Sequence, residues 1–320
     1  MKAMVLVATD TFELQELPVP QPGPGEVLVR VEATAICNTT DMKVKNALDP
    51  TTEWPNEPHP VLLGHEVCGI IEALGSDVSD WRKGDRISGW GIGGGGFAEY
   101  CLLTPDSMAA VKIPPEMPAA TASLLELAVG TARYLYADEA RKRLADAATA
   151  YVVGLGPSGL FYLLECLNLG VKTVYASGRH AQRLEMARKF GATEVLDAAE
   201  VDSAHVLADR GISVDVSLDT TGRDFREDLL KVTRTGGVIV PFGGGWPWWE
   251  YLDAFGERDI LLANGGVEEA RRAAGPMMEW IARGTMPIER TITHRIRLAD
   301  LEAGFEVIRK REAVKVVVEF

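Results

Sequence analysis

The segment from Tyr151 to Gly159 constrains the fold of this chain more than any other. Tyr151-Val152-Val153 is a short apolar run, Gly154-x-Gly156-x-x-Gly159 follows it directly, and a helix-like apolar stretch begins at Ser158. A strand that passes into a helix through three such glycines is typical of a dinucleotide-binding loop. The glycines allow a tight turn, a close approach to the pyrophosphate and close helix–strand packing, and the helix N-terminus offers free N–H groups. The sequence therefore predicts a cofactor site that includes Gly154, Gly156, Pro157, Ser158 and Gly159.

The rest of the chain reads as two kinds of structure. Before Pro118, short strands separated by Gly and Pro turns favour a small, partly closed β-barrel. From Ala150 onward, strands and helices alternate, which favours a doubly wound parallel sheet covered on both faces. At 320 residues the chain has room for both. We expect an α/β protein with a barrel domain at residues 1–127 and 267–320 and a Rossmann domain at residues 128–266.

Cofactor choice is predicted at the end of the second Rossmann strand. NAD enzymes usually carry an acid there for the ribose 2′-OH. This chain has Ser177-Gly178-Arg179 instead. An arginine binds phosphate in a bidentate manner, and a glycine leaves room for it. The segment predicts NADP rather than NAD, with contacts from Ser177, Gly178, Arg179 and Arg183. The alternative is that Arg179 is merely a solvated surface charge.

Three further residue types indicate a metal. Gly64-His65-Glu66 begins 27 residues after Cys37, and Glu126 follows later. Cysteine, histidine and glutamate are ligands that hold zinc with one coordination position open, where chemistry can take place. Each residue alone also fits an ordinary structural role. Spacing by itself permits hydrolysis as well as redox chemistry.

Bulk properties exclude several classes of function. A net charge of −13 and a pI of about 5.0 argue against nucleic acid as a partner. No stretch approaches the ~20 apolar residues of a membrane helix. The four cysteines form no C-x-x-C pair, so we expect neither a zinc knuckle nor disulfides, and a cytoplasmic location.

Markers along nearly the whole chain together resemble the medium-chain dehydrogenase/reductase superfamily, in its zinc-dependent alcohol dehydrogenase branch. They are Pro22-Gly23-Pro24-Gly25-Glu26-Val27, Leu63-Gly64-His65-Glu66, Lys83-Gly84-Asp85-Arg86, Phe97-Ala98-Glu99-Tyr100, the glycine loop, Gly236-Gly237 and Lys315-Val316-Val317-Val318. The resemblance implies a GroES-like barrel plus a Rossmann domain. It also implies hydride transfer between NADP(H) and a small alcohol or polyol, or the matching aldehyde or ketone, in a homodimer or homotetramer. The four-cysteine structural lobe of the family is missing, so one catalytic zinc per chain is expected.

The resemblance also implies roles for single residues. Cys37 and His65 correspond to zinc ligands, Glu126 to a third acidic ligand, and Glu66 to an alternative ligand, so the choice between the two acids stays open. Thr39 corresponds to the proton-relay hydroxyl, although Asp41 falls one residue late and Lys43 stands near the place of the usual relay histidine. Lys315 is assigned to the cofactor site. Trp90 and Trp246 are assigned to the substrate pocket, with subunit packing as the alternative for the neighbouring tryptophans.

Two other interpretations remain open at this point. One is a zinc-free quinone or enoyl reductase of the same fold, a branch without the cysteine, histidine and acid set. The other is a non-catalytic protein that binds NADPH through an inherited fold.

Overall fold

The structure, a computed structural model, describes residues 1–46, 61–90, 95–106, 110–242 and 252–320, without the side chains of Trp90 and Leu252. It divides into two compact units. Unit 1 comprises Met1–Leu127 and Ile288–Phe320, and unit 2 comprises Ala128–Pro287.

Unit 1 is built mainly of β-strands. Its strands are β1 Lys2–Ala8, β2 Thr11–Glu16, β3 Val27–Ala35, β4 Val61–Leu62, β5 Glu66–Leu74, β6 Arg86–Trp90, β7 Tyr100–Leu103, β8 Val111–Lys112, β15 Ile292–Arg297 and β16 Lys315–Glu319. Its helices are α1 Thr40–Asn46, α2 Ala119–Ala122, the start of α3 Leu125–Leu135, α11 Leu301–Arg309, and short 3-10 turns at Ile288–Thr291 and Leu298–Asp300. One sheet runs β15-β16-β3-β5-β6-β8 with β7 also on β3, and a smaller one runs β2-β1-β4.

Alternation along β3 explains how this unit buries its core. Val27, Val29 and Val31 point to one side and pack with Trp81 and with residues of β5, β6 and β7. Successive side chains of a strand face opposite sides, so an apolar residue at every second position makes one buried face. A second apolar cluster lies under α11, where the ring of Phe305 stacks on Phe12 at 5.4 Å.

Unit 2 alternates strands and helices. Its strands are β9 Thr149–Val153, β10 Thr173–Gly178, β11 Glu194–Asp197, β12 Val214–Asp219, β13 Thr233–Pro241 and β14 Leu261–Leu262. Its helices are the remainder of α3, α4 Asp138–Leu144, α5 Pro157–Asn168, α6 Ala181–Lys189, α7 Ser203–Asp209, α8 Arg226–Val232, α9 Leu252–Glu257 and α10 Val267–Ala282. The strands pair in parallel in the order β11-β10-β9-β12-β13-β14.

The order of this sheet reverses between β9 and β12. From β9 the chain moves outward to β10 and β11, and then returns to place β12 on the other side of β9. Ligands of open parallel sheets bind at the carboxyl ends of the strands where the order reverses. The glycine loop follows β9, so it lies at that point.

The second domain boundary differs from the sequence prediction. Residues 267–287 were expected in the first domain, whereas the structure groups them with unit 2. Arg272 of α10 forms an ion pair with Asp138, and Asn168 donates to the carbonyl oxygen of Thr285 at 3.0 Å. These contacts hold the segment to unit 2. No helix in the described part of the chain is long and apolar enough to cross a membrane.

Candidate functional site

Antiparallel pairing of β3 and β5 brings the predicted metal ligands together. Ala35 near the end of β3 is the partner of Glu66 at the start of β5. Cys37 follows β3 by two residues and His65 precedes β5 by one, so both lie at the same end of this strand pair. One ligand atom from each of Cys37, His65 and Glu66 lies within 4.8 Å of the others. His65 and Glu66 are buried, and Cys37 is half-buried and a free thiol.

Asp41 holds this group in place. Its carboxylate accepts from the backbone N–H of Cys37 at 2.9 Å and from that of Gly64 at 3.3 Å. Its Oδ1 also lies 3.3 Å from Nδ1 of His65, and its side chain is buried. A carboxylate on one ring nitrogen fixes the orientation of an imidazole that ligates a metal through the other. The sequence analysis assigns no role to Asp41, which falls one residue later than the resemblance implies. The sequence feature that could have indicated its role is an acid four residues after Cys37.

Burial and the neighbouring charges shift the pKa of the His65 imidazole in opposite directions. Burial lowers the pKa of His65, but the neighbouring Asp41 carboxylate and Cys37 thiol raise it, and the net pKa lies well above its ordinary value. The backbone N–H of Thr40 donates to Sγ of Cys37 at 3.3 Å. The site is therefore built to attract a cation.

The two carboxylate oxygens of Glu66 differ in their surroundings. Nζ of Lys315 donates to its Oε1 at 2.5 Å, and both side chains are only 1% exposed. Within the described residues, Oε2 of Glu66 is buried without a hydrogen-bond partner. Burial lowers the pKa of Lys315, the Glu66 and Cys37 charges raise it, and the net pKa is raised, so Lys315 keeps its charge. The Lys315 ammonium, which the resemblance assigns to the cofactor site, contacts Glu66 within unit 1.

The other predicted residues of unit 1 are placed as follows. Glu126 lies half-buried in the first turn of α3 and is not a member of the three-residue group, although its charge also raises the pKa of Lys315. Thr39 is exposed in the turn before α1. The backbone of Trp90 pairs with Glu66, while its side chain lies outside the described residues, as does all of Trp246.

The glycine loop of unit 2 has the predicted form. Gly154 has φ of +89°, which L side chains rarely adopt, and Gly156 caps α5 with Pro157 in its first turn. A Cβ on Gly159 would lie 1.9 Å from the carbonyl oxygen of Gly154, so only glycine fits there. The loop leaves the N-terminus of α5, including half-buried Ser158, beside the turn. This geometry suits an anionic ligand.

The segment after β10 agrees with only part of the prediction. Arg179 is exposed and has no ion-pair or hydrogen-bond partner among the residues the structure describes, while half-buried Arg183 has one. Ser177, by contrast, is buried, and its hydroxyl lies 2.9 Å from that of Tyr151 inside the sheet. Its side chain therefore faces the core rather than the expected cofactor phosphate.

Sequence reasoning also missed an acid near this segment. Asp197 at the end of β11 is the strand partner of Gly178. Its Oδ1 accepts from the backbone N–H of Ala199 at 2.9 Å. The sequence shows an acid at position 197, but only the pairing of β10 with β11 shows that Asp197 and Gly178 are neighbours.

Comparison with known proteins matches both units. Residues 23–115 match the alcohol dehydrogenase GroES-like domain, and residues 157–275 match the zinc-binding dehydrogenase family. L-threonine 3-dehydrogenase of Anaeromyxobacter sp. (strain Fw109-5) is 27% identical over 358 residues, covering 100% of this chain and 99% of its own. The chain belongs to the zinc-dependent medium-chain dehydrogenase/reductase superfamily. The expected fold class, a GroES-like domain plus a Rossmann domain, is confirmed.

Solved structures have the same fold. A zinc-binding dehydrogenase of Sinorhizobium meliloti 1021, solved with NADP, is 26% identical with a TM-score of 0.75, covering 100% of this chain and 99% of its own. An alcohol dehydrogenase of Escherichia coli CFT073, solved with NADH, is 20% identical with a TM-score of 0.82 at the same coverage. This chain is thus an oxidoreductase of the zinc-dependent dehydrogenase family.

Proposed function

We propose that the chain transfers hydride reversibly between NADP(H) and a small alcohol or polyol, or the matching aldehyde or ketone. One observation carries this proposal. The Cys37 thiol converges with the imidazole and the carboxylate of the adjacent residues His65 and Glu66 within 4.8 Å, in a largely buried setting. That donor set suits a catalytic zinc ion.

The residues present fit the metal. The unpartnered Oε2 of buried Glu66 is an oxygen that a cation would satisfy. We therefore propose Cys37, His65 and Glu66 as the ligands, with Glu126 close enough to act on the same charge cluster. When bound, zinc supplies Lewis acidity that polarises a substrate oxygen.

Two buried residues that are not proposed ligands, Asp41 and Lys315, orient the ligands and balance their charge. Asp41 fixes the imidazole of His65 and the backbone of Cys37. Lys315 neutralises Glu66 and holds one of its oxygens. The side chains of His65 and Glu66 and the backbone of Cys37 are therefore positioned by buried partners, which limits the reorganisation that metal binding requires.

We propose Thr39 as the proton relay. Its exposure gives a hydroxyl in the turn after Cys37 direct access to water. Comparison of Thr39→Val with Thr40→Val tests the register, because Thr40 is half-buried and its N–H contacts Sγ of Cys37. Loss of turnover by about 10²–10⁴ is expected for Thr39→Val alone. Loss for Thr40→Val alone would transfer the role to Thr40, and loss for neither would make Lys43 the next residue to test.

NADP is the proposed cofactor because the exposed Arg179 stands after β10 with no carboxylate in the same turn. Of the solved structures with this fold, one holds NADP and another holds NADH, so the proposal of NADP rests on Arg179. The four free cysteines support the proposed cytoplasmic location. A homodimer or homotetramer is proposed from the family alone, and light scattering on the purified protein tests it.

The decisive experiment combines metal analysis with a substrate panel. Protein purified without chelators should carry one zinc per chain and consume NADP(H) with members of a panel of alcohols, polyols, aldehydes and L-threonine. Cys37→Ser should lose both metal and turnover, because a hydroxyl is a much poorer zinc ligand than a thiolate. Cys101→Ser, which changes a buried cysteine of β7 in the same unit, should keep both.

Other outcomes select the alternatives. Full activity on quinones or enoyl substrates without metal would favour the zinc-free reductase. Tight NADPH binding without turnover on any carbonyl would favour a non-catalytic protein.

A further inference from the structure

Thr220 joins the strands on either side of the point where the sheet order reverses. It directly follows β12, and its backbone N–H donates to the carbonyl oxygen of Val153, the last residue of β9, at 2.9 Å. Its hydroxyl lies 3.0 Å from the same oxygen and 3.1 Å from the carbonyl oxygen of Gly154. One residue therefore contacts both carbonyl groups at the start of the glycine loop.

The Thr220 hydroxyl also occupies space that the loop glycines leave open. A Cβ on Gly154 would lie 2.8 Å from Oγ1 of Thr220, and a Cβ on Gly159 would lie 3.1 Å from it. The hydroxyl thus sits between the first and third glycines of the loop. A larger residue at Gly154 would therefore collide with the Thr220 hydroxyl unless Thr220 shifted.

The turn that carries Thr220 is itself fixed. Oδ1 of the fully buried Asp219 accepts from the backbone N–H of Thr221 at 2.9 Å and from its hydroxyl at 2.7 Å. Such a local side-chain bond holds a turn in one conformation. Thr220 is therefore presented to the loop by a rigid support.

We propose that Thr220 is a positioning residue of the dinucleotide site, an inference that rests on the proposed function. Its hydroxyl has one proton, which it shares between the carbonyl oxygens of Val153 and Gly154, while its backbone N–H also donates to Val153. Because a peptide group is planar, the orientation of the Gly154 carbonyl sets that of the Leu155 N–H in the loop. Thr220 in this way aims the loop amides and the N-terminus of α5 at the pyrophosphate, which binds well only when its donors are closely positioned.

The test measures NADPH and NADH binding to the purified protein by calorimetry. Thr220→Val keeps the shape and removes the hydroxyl, and we expect the Kd for both dinucleotides to rise about tenfold, the effect of losing one or two hydrogen bonds. Thr220→Ser should restore wild-type affinity, while Thr220→Ala should not. In turnover assays the cofactor KM should rise while kcat changes little.

A matched control separates positioning from general stability. Thr233→Val also deletes a buried hydroxyl, which lies 2.7 Å from that of Ser217 on β12, away from the glycine loop. It should lower the melting temperature and leave dinucleotide affinity unchanged.

Failures of the two proposals are distinguishable. A wild-type protein that binds neither dinucleotide would overturn the proposed function. A wild-type protein that binds them, with equal affinity in Thr220→Val, would overturn the role of Thr220 alone. If Thr220→Val does not fold, Thr220→Ser is compared with Thr220→Ala, because these two variants differ only in the hydroxyl. Equal Kd values for the two variants would refute the proposal.

Discussion

At the scale of single residues, the Lys315–Glu66 pair is the contact with the largest electrostatic consequence. Both groups are fully buried, so each depends on the other for compensation of its charge. Removing one partner of a buried pair leaves the other as an uncompensated charge in a poorly solvated site. Breaking the pair should therefore destabilise the fold and release one oxygen of a proposed ligand.

Lys315→Met should lower the free energy of unfolding of the metal-free protein by roughly 3–5 kcal/mol. Urea unfolding in the presence of a chelator measures this loss. Added zinc should recover part of it, because a bound cation again compensates Glu66. Lys45→Met is the control: Lys45 is also buried, but its partners Asp10 and Glu302 are about half exposed and reach water. Equal losses in the two variants would contradict this account.

Arg179→Ala should weaken NADPH binding far more than NADH binding. A charge-assisted phosphate contact contributes about 1.5–3 kcal/mol, roughly 10- to 100-fold in Kd, and only NADPH has the 2′-phosphate. Titration of both cofactors measures the ratio. Asp197→Ala provides the opposing test, because Asp197 lies beside Gly178. If Asp197→Ala selectively weakens NADH while Arg179→Ala affects both cofactors equally, the site reads the ribose hydroxyl and NAD is the cofactor.

At the scale of elements, α3 and α5 are joined by a buried carboxyl group. The hydroxyl of Thr131 on α3 lies 2.6 Å from Oε1 of Glu165 on α5 and 2.9 Å from the carbonyl oxygen of Ala128. A hydroxyl has one proton for these two oxygens, so a protonated Glu165 satisfies both contacts. Burial raises the pKa of Glu165 to about 8 from its ordinary 4.5, with the Thr131 hydrogen bond as a smaller opposing effect.

This raised pKa makes stability depend on pH. Between the unfolded pKa near 4.5 and the folded pKa near 8, the folded state holds a proton that the unfolded state has lost. Stability from this group is therefore full below about pH 4.5, falls as pH rises toward 8, and is lost above it. Glu165→Gln cannot ionise, so the slope of unfolding free energy between pH 5 and pH 8 should be less negative than in the wild type. Thermal unfolding across that range measures the slope for both proteins. Identical slopes would contradict the raised pKa of Glu165.

Element boundaries show where local sequence was a weak guide. The apolar run Val238-Ile239-Val240 is typical of a strand, but β13 begins five residues earlier, at Thr233. Thr233 pairs with Val214 of β12, and after an irregularity the pairing resumes between Val216 and Val238. The helix-like stretch from Ala119 to Leu144 is divided into three helices, α2, α3 and α4.

At the scale of the whole molecule, the two proposed binding sites use different units. Cys37, His65 and Glu66 belong to unit 1, and the glycine loop and Arg179 belong to unit 2. We therefore expect metal and dinucleotide binding to respond to mutation separately. Cys37→Ser should lose zinc and keep its NADPH affinity, and Arg179→Ala should lose NADPH affinity and keep its zinc. Metal analysis and calorimetry on both variants check this, and loss of both ligands in either folded variant would show that the sites are coupled.

The sequence by itself determined the fold class and the glycine loop, and it predicted Cys37 and His65 as metal ligands with the choice between Glu66 and Glu126 open. The tertiary structure groups Glu66, rather than Glu126, with Cys37 and His65. Glycine turns, residue periodicity and ligand chemistry are local properties, so they are legible without a structure. Only the tertiary structure decided that Lys315 pairs with Glu66, 249 residues away, that Asp41 supports the site, and that Ser177 faces the core. Each of these depends on which strands pair and which charges lose their water. Strand pairing and burial are set by contacts between distant segments, which local sequence does not encode.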